Sequence, residues 1–306
     1  MSRVLLPVLT VVAAIFALWY AFVPVMNMPW AAAQAERAGI TVSVPEGVPA
    51  RDAGGLALTL RNPGLIPATV GQDRPVLPSP NQVFAELWDS TVEKRVTSKR
   101  SLVYHGTVTL GVTLAGFGFG AALGTLLAIG IVYNRAMDRS VMPWVIASQA
   151  IPILAIAPMI IVVLASVGLK GFVPKAIIAT YLSFFPVVVG MVKGLRSPSP
   201  IQRDQMRTWN ATGAQEFWRL RLPASVPYLF TSLKVAVAAS LVGTIVGELP
   251  TGASAGLGAR LLTGSYYGQT IQIWSALMAA AILAALLVAS VGLVSRLVER
   301  RMGFAR

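Results

Sequence analysis

The sequence predicts an all-α integral membrane protein with six transmembrane helices. Three observations carry that expectation: an apolar composition, six long apolar runs, and basic residues gathered on alternate connections. Of 306 residues, 55% are hydrophobic and 12% charged. A soluble domain of this size could not bury so much apolar surface, so lipid must solvate part of it. The formal charge of +13 would suit a nucleic-acid binder only if the basic residues shared a soluble face. Most instead flank apolar runs, and no nucleic-acid partner is expected. The chain has no cysteine, which removes disulfides, thiolate metal sites and thiol nucleophiles. His105 is the single histidine. Neither a metal nor a cofactor is therefore expected.

Crossing roughly 30 Å of hydrocarbon as a helix takes about 20 apolar residues. Six runs reach that length: Val4 to Met26, Thr107 to Val132, Val141 to Val167, Phe172 to Val192, Val226 to Leu249 and Ile271 to Ser295. The first is read as an anchor, its apolar core being longer than the usual core of a signal peptide; the alternative is cleavage near Ala31-Ala32-Ala33. With the N-terminus inside, the inner segments hold Arg3, Arg135, Arg139, Lys193, Arg196, Arg203, Arg207, Arg219, Arg221, Arg296, Arg300, Arg301 and Arg306. That is 13 basic residues against four acids. The segment from Asn27 to Ser101 carries eight basic and seven acidic residues. This asymmetry predicts both termini in the cytoplasm.

The expected organisation is therefore an N-terminal transmembrane helix over 1–26, an extracytoplasmic segment over 27–101, a five-helix core over 102–301 and a short tail over 302–306. The extracytoplasmic segment is rich in Pro and Gly. It has a strand-like patch at Leu56 to Leu60 and a helix from Asn81 to Arg95, and it is too poor in core residues to read as a domain. The Gly-rich stretch between Pro250 and Thr270 is short for a span, and its irregular backbone must be satisfied by protein or water.

Within the spans, Gly116, Gly120 and Gly124 repeat at four-residue spacing, which lets another helix approach closely. Pro152 and Pro158 remove backbone donors and kink the third span, with Ser148 and Gln149 just before the first kink. A carbonyl freed there either touches a permeating solute or is satisfied by a neighbouring helix. Lys234 sits two turns inside the fifth span and snorkels to its end. Glu248 stands at the other end of that span. It either hydrogen-bonds to backbone donors of the Gly-rich stretch, as a gate latch, or simply faces water.

The most basic connection contains Asp204 to Pro223, DQMRTWNATGAQEFWRLRLP. It predicts a helix, a break at Asn210 to Gly213, and a second amphipathic helix ending at Leu222-Pro223. Exposed Trp209, Phe217 and Trp218 among arginines suit a protein partner; a helix lying on the membrane surface is the alternative. This stretch resembles the signature of the permease subunits of binding-protein-dependent ABC importers with the type I fold: Glu-Ala-Ala, three residues, Gly, nine residues, Ile, one residue, Leu-Pro. In register on Leu222-Pro223, Asp204-Gln205-Met206 fall at the Glu-Ala-Ala positions, Asn210 at the glycine and Leu220 at the isoleucine. Asp keeps the charge and Asn tolerates the left-handed conformation, whereas Gln205 and Met206 depart from the pattern. Leu77-Pro78-Ser79-Pro80, the glycines of the second span, the prolines of the third and Gly256-Leu257-Gly258 resemble the nitrate, sulfonate and taurine branch. The segment from Ala31 to Arg74 is longer than that branch carries.

The resemblance implies a permease subunit of a bacterial inner membrane importer. It would form the route for a small polar solute, either an anion such as a sulfonate, taurine or nitrate, or a heterocycle such as a pyrimidine. The loop 203–223 would dock on cytoplasmic ABC ATPase subunits through Asp204, Arg207, Trp209, Asn210, Gly213, Glu216, Phe217, Trp218, Arg219, Leu222 and Pro223. An extracytoplasmic solute-binding protein would deliver the solute. The chain contains no Gly-Lys dipeptide, hence no Walker A phosphate loop, and is expected to be a transport subunit rather than an enzyme. Six spans make a thin wall, which predicts a homodimer with the route at its interface. An ion-gradient-driven transporter is the alternative, but it would show an internal repeat and paired broken helices, and no repeat is found.

Overall fold

The structure, a computed structural model, describes residues 2–44, 48, 49, 52–250 and 253–303, with side chains from residue 6 onward. The first two residues of the Gly-rich TGASAGLG run, Thr251 and Gly252, and the end of the predicted tail lie outside them. Every regular element among the described residues is helical. Five helices are long and apolar enough to cross a membrane, or six when one bent pair counts as a span. The chain divides into two compact units: Met1–Leu102 with Arg260–Met278, and Val103–Ala259 with Ala279–Arg306.

The first unit is built on α1 (Ser2–Arg37), which continues well past the predicted end at Met26 despite Pro7, Pro24 and Pro29. Its second half is not lipid-like. Met28, Ala31 and Ala32 are buried with Ala53 and Leu58, and Val42, Val44, Leu65 and Ile66 pack against them. The segment expected to lack a core therefore has a small one, because α1 supplies half of it. Leu56 to Leu60 is not a strand: it lies in α2 (Gly55–Arg61). A Cβ on Gly55 would sit 1.9 Å from the Val25 carbonyl oxygen, so only glycine lets α2 cross α1 there.

After a 3-10 turn at Pro63–Leu65 and α3 (Ile66–Val70), the chain is tied down by Asn27. The Asn27 amide donates to the carbonyls of Thr69 (3.0 Å) and Leu77 (2.8 Å), and its oxygen accepts from the N–H groups of Val76 (2.8 Å) and Leu77 (3.0 Å). One buried side chain thus satisfies a stretch of irregular backbone. The predicted helix after Pro78-Ser79-Pro80 is α4 (Pro80–Trp88), extended by a π turn over Asp89–Glu93. Beside it lies a polar cleft of about 300 Å³ holding Glu86, Arg100, Arg260 and Gln272. Burial, reinforced by Asp89, pushes the Glu86 carboxyl above the usual carboxylate range.

The second unit contains α5 (Leu102–Tyr133), α6 (Arg135–Ser148), α7 (Ile153–Ser166) and α8 (Phe172–Leu195). These are followed by α9 (Pro200–Thr208), α10 (Gly213–Glu216), α11 (Leu222–Glu248), the start of α12 (Leu257–Tyr266) and most of α13 (Thr270–Arg301). The long helices α8 and α11 pack along each other and form its centre. Their approach depends on small residues: a Cβ on Gly194 would lie 2.9 Å from Ser225 and Tyr228, and one on Gly243 2.9 Å from Ala179. The main core cluster combines Ala128 and Ile131 of α5 with Val187, Val188, Met191 and Leu195 of α8.

The third predicted span is not one kinked helix. Helices α6 and α7 meet at 100° across a short break at Gln149 to Pro152. Pro152, at the N-cap of α7 with extended backbone, cannot donate a helical hydrogen bond, and the chain turns instead of bending.

Candidate functional site

Two groups of residues in the second unit carry chemistry. The first is the connection from α9 to α11. Ser199 caps α9 through Gln202, with Pro200 in the first turn. The helix then stops at Asn210, the one described non-glycine residue with positive φ, at 52°. A left-handed residue ends a helix by turning the chain away from its axis, and asparagine tolerates it better than most. Thr212 starts α10, its hydroxyl accepting from the Gln215 N–H at 3.3 Å, and Gly213 follows as the first helical residue.

The second helix does not end at Leu222-Pro223. A π turn over Phe217–Arg221 leads without interruption into α11, since proline is tolerated in the first turn of a helix. Phe217 is not exposed as expected. It packs against the core cluster and meets the Tyr133 ring edge-on at 5.9 Å. Glu216 also turns inward, pairing with Arg221 at 2.8 Å, and Arg221 donates to the Leu195 carbonyl at 3.3 Å. Sequence reasoning did not single out Arg221; only its spacing of five from Glu216 hinted at the pair.

Other predicted residues of this connection face outward. Trp209 is 67% and Trp218 65% exposed, Arg219 is exposed, and Asp204 pairs with Arg207 at 3.3 Å on the same exposed connection. Leu222 and Pro223 are half-buried. Tryptophan and arginine left unburied together are the side chains that anchor protein interfaces.

The second group surrounds Glu248, at the last turn of α11. Its carboxylate is fully buried, not turned to water. It accepts from the Gly258 N–H at 2.8 Å and from the Thr109 hydroxyl at 3.0 Å. The Thr109 oxygen in turn accepts from the Leu257 N–H at 2.9 Å, and His105 Nδ1 accepts from the Gly256 N–H at 3.0 Å. Three successive N–H groups of the Gly-rich turn are thereby tied to α5 and α11. Glycine is needed at 256, where φ is +123° and a Cβ would lie 2.2 Å from Glu248 Oε1.

The remaining predicted residues are separate from both groups. The Ser148 carbonyl, freed at the break, accepts from the Tyr181 hydroxyl of α8: a neighbouring helix satisfies it. Gln149 and Pro152 are exposed. Gly116, Gly120 and Gly124 face α8, where added Cβ atoms would meet Ala179 at 2.3 Å, Ser183 Oγ at 2.0 Å and the Phe184 carbonyl oxygen at 2.7 Å. Lys234 is half-buried.

Bundled apolar helices, a break and a connection with exposed tryptophan and arginine define a polytopic helical membrane protein. Residues 120–304 match the family described as binding-protein-dependent transport system inner membrane component, and the chain belongs to that family. It is 32% identical over 184 residues to the formylaminopyrimidine transport permease protein ThiX of Halalkalibacterium halodurans, covering 60% of this chain and 68% of the relative. It is 29% identical over 228 residues to the riboflavin transport system permease protein RibX of Chloroflexus aurantiacus, covering 74% and 80%. A chain of the MetNI methionine ABC transporter, in an inward-facing conformation, superimposes with a TM-score of 0.57 at 19% identity, covering 64% of this chain and 95% of that one. The fold is therefore that of a type I importer permease. The family match begins at residue 120, within α5, so the Met1–Leu102 part of the first unit precedes it.

Proposed function

We propose that this chain, a permease subunit of an ABC importer, is driven by separate ATPase subunits that dock on the surface made by Trp209, Trp218 and Arg219. Family membership supports the class of transporter, and that exposed surface is the observation that supports the docking point. Both termini then lie on the ATPase side, in the cytoplasm, as the charge bias requires. Two copies enclose the solute route, and an extracytoplasmic binding protein supplies a small polar solute, either an anion or a heterocycle of the kind for which ThiX and RibX are named.

The test is co-purification of the tagged chain with an ATP-binding subunit from the cell that makes it. Trp218→Asp or Arg219→Asp is expected to abolish that association while membrane insertion stays intact. Solute movement by the isolated chain in liposomes without ATP would instead support an ion-gradient-driven transporter.

A further inference from the structure

Lys175, in the first turn of α8, is a lysine in an expensive place. It is 6% exposed inside an apolar span, and it sits at the positive end of a helix whose first turn holds no acid. Among the described residues it makes neither a hydrogen bond nor an ion pair. An ionisable group kept inside a membrane at such a cost marks function by default, with its partner named.

Its partner by charge is Glu248, which follows Gly247 on α11. The backbones of the two helices meet here: a Cβ on Gly247 would lie 3.3 Å from the Lys175 Cα. Lys175 also lines a cavity of about 380 Å³, together with Val112, Ile161 and Pro174 and with Ala253, Ser254 and Ala255. That last stretch runs directly into the Gly256–Gly258 turn that Glu248 and Thr109 hold by its N–H groups. The same acid thus holds one wall of the cavity and adjoins the residue that packs against the lysine lining it.

We propose that Lys175 and Glu248 are a coupled charge pair that positions the 253–258 segment as a gate over this cavity. In the present state Glu248 holds the Gly258 N–H. In the alternate state it exchanges that donor for the Lys175 ammonium, which releases the segment. Both are positioning residues for solute passage. The inference rests on the importer reading, since it needs a cycle with two states.

The chain lacks cysteine, so Ser254→Cys places a unique thiol on that segment. In the complex with its ATPase subunits in nanodiscs, a membrane-impermeant maleimide is expected to label this thiol about tenfold faster in one of two conditions, nucleotide-free or vanadate-trapped. In the Ser254→Cys background, Lys175→Met and Glu248→Gln should each collapse that ratio to about one, because each removes one half of the exchange. The double variant, which has neither charge, should stay collapsed, and Lys175→Arg, which keeps a cationic donor for the alternate state, should retain the ratio.

Labelling in Lys175→Met that still responds to nucleotide as the parent does would overturn the proposal. So would a double variant that recovers the parent's ratio, since it has neither charge to exchange. Either result would leave the importer reading standing, whereas failure of the parent chain to assemble with any ATPase would overturn that reading and the gate with it.

Discussion

Gly118 and Gly120 show how little a glycine says until its neighbours are known. They lie two residues apart on α5 and both interrupt the same apolar run. Nothing stands within 4 Å of a Cβ built on Gly118, whereas one on Gly120 would strike Ser183 Oγ at 2.0 Å. Ser183 is not free to move aside, because its hydroxyl donates to the Gly116 carbonyl at 3.1 Å. Gly120→Ala is therefore expected to destabilise the detergent-solubilised protein by about 1–3 kcal/mol through overpacking. Gly118→Ala should be neutral or stabilise by about 0.5–1 kcal/mol through helix propensity. Thermal unfolding of the two variants side by side measures the difference. The four-residue spacing made the packing face legible in the sequence, but which helix fills it was not, since spacing records a face and not its neighbour.

At the scale of elements, the connection from α9 to α11 was the most readable part of the chain. Its break was placed at Asn210 to Gly213 from residue type alone, and Asn210 is where φ turns positive. Asn210→Gly should leave association with the ATPase unchanged or slightly stronger, since glycine removes the strain. Asn210→Val should weaken association sharply by shifting the neighbouring Trp209, because a β-branched residue in the left-handed region costs at least about 1–2 kcal/mol. Pull-down of the ATPase by the two variants decides it. The end of the second helix was misread because Leu222-Pro223 looks like a stop. Proline stops a helix only from its interior, and here it occupies the first turn of α11. The opposite misjudgement fell on Pro152, where a kink was expected and the chain turns by 100°. Local sequence announces a lost hydrogen bond but not the angle that follows, which depends on where Tyr181 offers a new donor.

At the scale of the whole molecule, the Glu248 network joins residues more than a hundred positions apart, from Thr109 to Gly258. Glu248→Ala should destabilise the purified protein substantially. It strips the buried Gly258 N–H and Thr109 hydroxyl of their acceptor at about 1–3 kcal/mol for each group left unsatisfied. Glu248→Gln keeps one acceptor oxygen and should cost clearly less. Their melting temperatures, compared in one detergent, provide the check. The sequence alone determined that this chain lives in a membrane, where most of its apolar helices run, and that Trp209 and Trp218 stand exposed on the connection between α9 and α11. Composition, length and charge bias are local or additive quantities that need no folded context. Only the tertiary structure decided that the segment after the first span has a core, that Phe217 and Glu216 point inward, and that Glu248 is buried beside Lys175. Burial and pairing are properties of two segments at once, and neither segment carries a record of the other.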